Sequence, residues 1–158
     1  MDAAAVALNR AIPESASAEL PVIGSTGWRA ALNRAPTLAH RCNADPAQVR
    51  RMVHRYGALT EEVLAPAAIE PMLAQPLPGA PGYLAAEYRY AVTHEGASTL
   101  EDVLWHRTHV SFETPDGGAE VAPHVATLIG PLLGWDAADR AAAVTSFRDW
   151  TAAERAAL

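Results

Sequence analysis

The sequence has no lysine and a single cysteine among its 158 residues, and each scarcity removes a class of chemistry. Without lysine, a dehydrogenase or phosphotransferase that needs an ammonium must find it elsewhere. One thiol, Cys42, cannot form an internal disulfide, which agrees with a reducing compartment, and Cys42 is expected to be packed and inert. The ten glycines form neither Gly-x-Gly-x-x-Gly nor Gly-x-x-x-x-Gly-Lys, so no standard nucleotide-cradling loop is written in the chain. No apolar run approaches the roughly 20 residues that span a bilayer. The N-terminal MDAAAVALNR begins its charges with an aspartate, unlike a secretion signal, and the expectation is a cytoplasmic chain.

What is abundant is alanine. Its 35 positions, in a chain that is 50% apolar, favour helix, because alanine has the best intrinsic helix propensity. The length fits one domain with a core of its own. All twelve basic residues are arginine, and they are unevenly placed. Residues 29–55 carry six arginines against Asp45, whereas 56–158 carry five against fourteen acids. A basic third on an acidic chain suits either a phosphate-bearing partner or an arginine-rich face packed against acidic neighbours.

Apolar spacing places the helices. Ser25 or Thr26 is positioned to cap a helix that turns Trp28 inward. Asp45-Pro46-Ala47-Gln48 supplies an N-cap and a first-position proline for the stripe Val49, Met52, Val53, Tyr56, closed by Gly57. Arg50, Arg51 and Arg55 fall mostly on the wetter side of that stripe. Val63, Leu64 and Ala67 face inward ahead of the proline-rich stretch 71–81, which is expected to be an extended connector. Tyr83, Leu84, Glu87, Tyr88, Ala91 and Val92 form the next stripe, with Gly96 as its break. Ser98-Thr99-Leu100-Glu101 reads as a capping box. From His109 to Thr114 polar and apolar residues alternate, which predicts one short extended segment. Val121, Val125, Leu128 and Leu132 then return to helical spacing up to Gly134, and Asp136 caps a last helix with Val144, Phe147 and Trp150 inward. The expected fold is all-α: a single non-parallel bundle of about six helices, with a proline-rich connector and one extended segment.

Metal and nucleophile motifs fail on spacing. His94-Glu95 starts like a zinc-protease helix, but Ser98 stands where the second imidazole belongs. His106 and His109 have no cysteine or carboxylate to complete four ligands, and neither do His40 and Cys42. No metal site is expected, and no Gly-x-Ser-x-Gly marks a hydrolase. Arg41, Arg50, Arg51 and Arg55 on or near one helix offer a groove-binding surface, yet the acidic sequence pI near 5.4 argues against nucleic acid.

A set of stretches in fixed order carries a resemblance: Leu20-Pro-Val-Ile-Gly24 with Gly27-Trp28, Val53-His-Arg-Tyr-Gly57, Pro76-Leu-Pro-Gly-Ala-Pro81, Tyr90-Ala-Val-Thr-His-Glu-Gly-Ala97, Leu100-Glu-Asp-Val-Leu104 with Arg107-Thr108, and Leu133-Gly-Trp-Asp136. Together they cover about residues 19–150 and resemble the C-terminal domain of FAD-dependent glycerol-3-phosphate dehydrogenases and the related alpha-glycerophosphate oxidases. The resemblance implies a helical cap domain over 19–158, preceded in 1–18 by the tail helix of a flavin domain and a linker. It implies that FAD belongs to that flavin domain and that this chain binds no cofactor and is silent alone. Its partner would be its own flavin domain, with no nucleic acid, no membrane insertion and a possible homo-oligomer. The parent would work at the inner face of the membrane. By the same analogy His94, Glu95, Asp102, Arg107 and Thr108 are the interdomain-contact candidates, with no catalytic, cofactor-binding or metal residue among them. The family usually has further arginines around Arg107, whereas here the string is His106-Arg107-Thr108-His109, which weakens a phosphate-binding role. Helix capping by Glu95 and Asp102, with Arg107 paired inside the bundle, explains the same residues without a partner. A free-standing helical interaction module and an arginine-helix nucleic-acid binder are the alternatives.

Overall fold

In the computed structural model, which describes residues 6–9 and 16–156, the alanine-rich stripes fold as helices: α1 (Trp28–Cys42), α2 (Pro46–Tyr56), α3 (Thr60–Leu64), α4 (Ala85–Thr93), a π-helical segment (Asp102–Arg107), α5 (Val110–Glu113), α6 (Ala122–Leu133) and α7 (Ala137–Ala156). Short 3-10 turns join α2 to α3 and continue α3 towards the prolines. Among the described residues there is no strand, and a single isolated bridge pairs Pro76 with Leu84. The expected tail helix lies largely outside the described residues, of which Val6–Leu8 are helical.

Local chemistry explains most element ends. The Asp45 carboxylate accepts the Ala47 N–H at 2.7 Å, Pro46 opens α2, and Val49, Met52, Val53 and Tyr56 are all buried. Asp136 accepts from Ala138 and Asp139, while Asp139 accepts from the Asp136 N–H, a reciprocal cap on α7. Gly134 closes α6 at φ 72°.

Several expectations need correction. The extended segment His109–Thr114 is instead the helical turn α5: His109 stands at φ 62° and reverses the chain, Ser111 is buried, and Phe112 is 61% exposed. Alternation over so few residues fits a single turn whose neighbours decide which side is covered, and here the adjacent Val110 and Ser111 are both buried while Phe112 is exposed, which a strand's alternation does not give. Neither Ser25 nor Thr26 caps α1. Gly27 occupies that position in the left-handed region, and Trp28 remains 39% exposed. The capping box is shifted by one residue to Thr99 and Asp102. The proline stretch begins as a 3-10 turn (Pro71–Ala74) that buries Leu73 and Ala74. Leu132, expected inside, is 40% exposed.

The interior forms two apolar clusters. One gathers α1, α2 and α3 with Leu84, Ala85, Ala86 and Tyr90, and the other gathers Tyr83, Tyr88 and Ala91 with the π-helical segment, α6 and Phe147. Helix α4 therefore faces both. Its alanines explain how, since small side chains let neighbours approach from either side without a clash.

Candidate functional site

The five residues singled out by sequence divide in two. Asp102 and Thr108 serve the fold. The Asp102 carboxylate accepts the Ser98 N–H at 3.0 Å, the Ser98 hydroxyl at 3.1 Å and the Thr99 N–H at 3.1 Å, and these bonds, led by that from the Ser98 backbone, hold its carboxyl below the usual range. Thr108 is fully buried, and both its N–H and its hydroxyl donate to the Val103 carbonyl.

His94, Glu95 and Arg107 come together at the end of α4. Arg107 Nε donates to the Glu95 carbonyl at 3.0 Å, and the His94 ring stacks on Tyr90 with centroids 4.3 Å apart. The Tyr90 hydroxyl donates to Glu62 at 2.9 Å. One carboxylate oxygen of Glu95, Oε2, is buried without a hydrogen-bond partner. Burial pushes the Glu95 carboxyl up, against the pull of Arg55, Arg107 and His94. Tyr90, His94 and Glu95, with Ile23, Arg55, Tyr56 and Leu59, border an open cleft of about 410 Å³.

Sequence reasoning missed Arg55 and Ile23. Apolar spacing puts Arg55 on the wetter side of α2, but it is half-buried and donates to the Thr108 carbonyl at 2.9 Å. Arg51, one turn earlier, leaves that side too: it pairs with fully buried Glu87 and lies over the Tyr83 ring at 4.4 Å. Arg41 pairs with Glu61 at 3.2 Å. The signal that could have found them is the i, i+4 spacing of Arg51 and Arg55 along a helix whose neighbour carries an acid in its apolar stripe. Burial pushes the Glu87 carboxyl upward, opposed by Arg51 and by the Leu84 N–H, which Glu87 accepts at 2.9 Å. Cys42 is half-buried, and burial pushes its thiol up, against the pull of Arg41.

Ile23 reaches the cleft because two glycines let backbones touch. The Ala58 N–H donates to the Gly24 carbonyl at 2.9 Å. A Cβ on Gly57 would lie 2.1 Å from that oxygen, and one on Gly24 would lie 2.5 Å from the Tyr56 carbonyl. Both have positive φ, so no other residue type fits without strain. This contact fastens the segment 20–27 against the end of α2. It also borders a second open cleft of about 370 Å³ with Val22, Trp28 and His54.

The arrangement is better suited to contact than to bond breaking. Thr93, His94 and Glu62 stand in nucleophile, base and acid order, with Thr93 Oγ1 2.7 Å from His94 Nδ1. The Thr93 hydroxyl, however, is also within hydrogen-bond distance of the Arg89 carbonyl, at 3.1 Å, which competes for its proton, and Glu62 is 3.8 Å from His94 Nε2, too far for a hydrogen bond. Among the described residues no group of three His, Cys, Asp or Glu side chains could hold a metal. No helix among them is long and apolar enough to cross a membrane.

Comparison with known proteins decides the family. The model of the C-terminal domain of alpha-glycerophosphate oxidase matches residues 15–140. The chain belongs to this family. The domain is 42% identical to a glycerol-3-phosphate dehydrogenase of Mycobacterium leprae over 139 residues, which is 88% of this chain and 24% of that protein. It is 39% identical, over the same shares, to glycerol-3-phosphate dehydrogenase 2 of Mycobacterium tuberculosis. A probable mitochondrial glycerol-3-phosphate dehydrogenase of Dictyostelium discoideum is 30% identical over 73% of the chain and 18% of its own length. The domain thus spans about a quarter or less of these relatives. No solved structure matches it.

Proposed function

We propose that this chain is the helical accessory domain of an FAD-dependent glycerol-3-phosphate dehydrogenase, docked on that enzyme's flavin domain. The boundary falls near residues 18 and 19. The parent would convert glycerol 3-phosphate to dihydroxyacetone phosphate and pass electrons to a quinone, in the cytoplasm at the inner face of the membrane. The observation that carries this reading is the match of nearly the whole chain to one end of proteins bearing that name.

The described residues do not suit a flavin of their own. A flavin pyrophosphate is held by a glycine-rich turn between a strand and a helix, and the glycines here serve other ends: Gly24 and Gly57 a backbone contact, Gly134 a helix end. Arg51 is committed to Glu87 and Arg55 to Thr108. We assign no step of the redox chemistry to this chain.

A chimera tests the reading. The M. leprae dehydrogenase with its matched quarter replaced by this chain should reduce a dye on addition of glycerol 3-phosphate, whereas this chain alone should not. A chimera that folds and loads FAD but shows no turnover, or turnover by this chain alone, refutes it.

A further inference from the structure

We infer that the face built by the segment Leu20–Trp28 and the cleft at Arg55, Tyr90, His94 and Glu95 is the surface that seats the flavin domain. This rests on the function just proposed. The partner element that fits it carries an apolar side chain for the segment and a hydrogen-bond donor, an amide or a basic side chain, for Glu95.

Three observations converge. First, large exposed apolar residues concentrate here: Leu20 at 68%, Val22 at 77%, Ile23 at 86% and Trp28 at 39%. Contiguous exposed apolar residues rimmed by polar groups mark an interaction site. They are held in place, because the Gly24–Gly57 contact fixes the segment on α2. A presented, fixed apolar ridge loses little conformational entropy on docking. Second, the polar chemistry beside the ridge is incomplete. Glu95 Oε2 is buried with no hydrogen-bond partner, and a buried acceptor without a donor is costly until one is supplied. Arg107 and Arg55 satisfy carbonyls of Glu95 and Thr108 rather than that oxygen. Third, the remaining length of the relatives is on the correct side. The domain is the C-terminal one of its family and corresponds to 24% of the M. leprae protein, so the rest of such a protein enters ahead of the matched region. That region starts at residue 15, five positions before Leu20. The body of the enzyme is therefore tethered directly beside the ridge, where a short linker gives a high effective concentration.

Only part of this face was among the candidates of the sequence. His94 and Glu95 belong to it, Arg107 holds the Glu95 carbonyl behind it, Asp102 and Thr108 are occupied by the fold, and Ile23 and Arg55 are new members.

The test is amide hydrogen exchange on the full-length chimera and on the 158-residue chain. Docking at this face predicts slower exchange in the chimera at Leu20–Trp28 and Tyr90–Glu95, with Trp105–Gly117 unchanged. Ile23→Asp should restore fast exchange at both protected segments, a loss of protection of roughly tenfold or more, since it buries a charge against an apolar partner. Phe112→Asp, at an exposed aromatic on another surface, should leave protection and dye reduction unchanged. Because Ile23 is almost fully exposed, Ile23→Asp should leave the melting of the 158-residue chain unaltered, which separates lost docking from lost folding. A chimera that turns over substrate but protects other segments overturns this inference and leaves the proposed function standing. A chimera with neither turnover nor protection removes both.

Discussion

Glu87 shows how one residue constrains a helix. It sits in the apolar stripe of α4, fully buried, with Arg51 and the Leu84 N–H as its partners and its Oε2 unbonded. Its carboxyl is pushed up by burial, so in the mildly acidic range above about 4.5 the native state holds a proton that the unfolded chain has released. Native stability is then greatest below the unfolded value and falls as pH rises from there towards the folded value. Thermal melts across this range should therefore show a decline with rising pH that Glu87→Gln flattens, because Gln cannot ionise. An unchanged slope in the variant would assign the decline elsewhere, with Glu95, also raised by burial, the next group to substitute. The sequence placed Glu87 on the buried stripe from spacing alone. It did not place Arg51, because periodicity in α2 reports the face turned to its own core and says nothing of a second helix closing on the other side.

At the scale of elements, what the sequence revealed follows from local chemistry, and what it concealed follows from tertiary contact. The caps at Asp45 and Asp136 and the stop at Gly134 are set by residues within a few positions, and they lie where those residues put them. The segment 109–114 is different. Its alternation was a correct description of the residues, but the chain turns at His109, and α5 is too short to show a helical period of its own. Likewise, the importance of Ile23 depends on a contact between Gly24 and Gly57, thirty-three positions apart, that no local pattern records. The His109 turn is testable. A β-branched residue resists the left-handed region more than histidine does, whereas glycine adopts it freely. His109→Val should cost about 1–2 kcal/mol in urea unfolding, while His109→Gly should be neutral or stabilising. Equal destabilisation by both would mean that the imidazole's edge contact with Phe112, at 6.0 Å between centroids, governs the turn instead.

The whole molecule has two apolar clusters, and whether they behave as one depends on α4. Ala85, Ala86 and Tyr90 of that helix belong to one cluster and Tyr88 and Ala91 to the other, while Leu77 and Leu128 pack against both. A nine-residue helix is marginal on its own and depends on tertiary packing, and α4 lends side chains to both clusters, so the loss of either cluster removes a wall of its neighbour. The Arg51–Glu87 pair adds a second tie, since α2 contributes the arginine from the first cluster's side and α4 the buried acid. The 158-residue chain should therefore unfold in one calorimetric transition whose van't Hoff and calorimetric enthalpies agree. Tyr88→Ala, which opens a cavity in the second cluster, should cost about 3–5 kcal/mol and lower that single transition by on the order of 10 °C. Near-ultraviolet signals from Tyr56, in the first cluster, and from Trp150, packed on the second, should move together. If Tyr88→Ala splits the melt in two, with the α1–α3 half surviving to the wild-type temperature, α4 does not couple the halves.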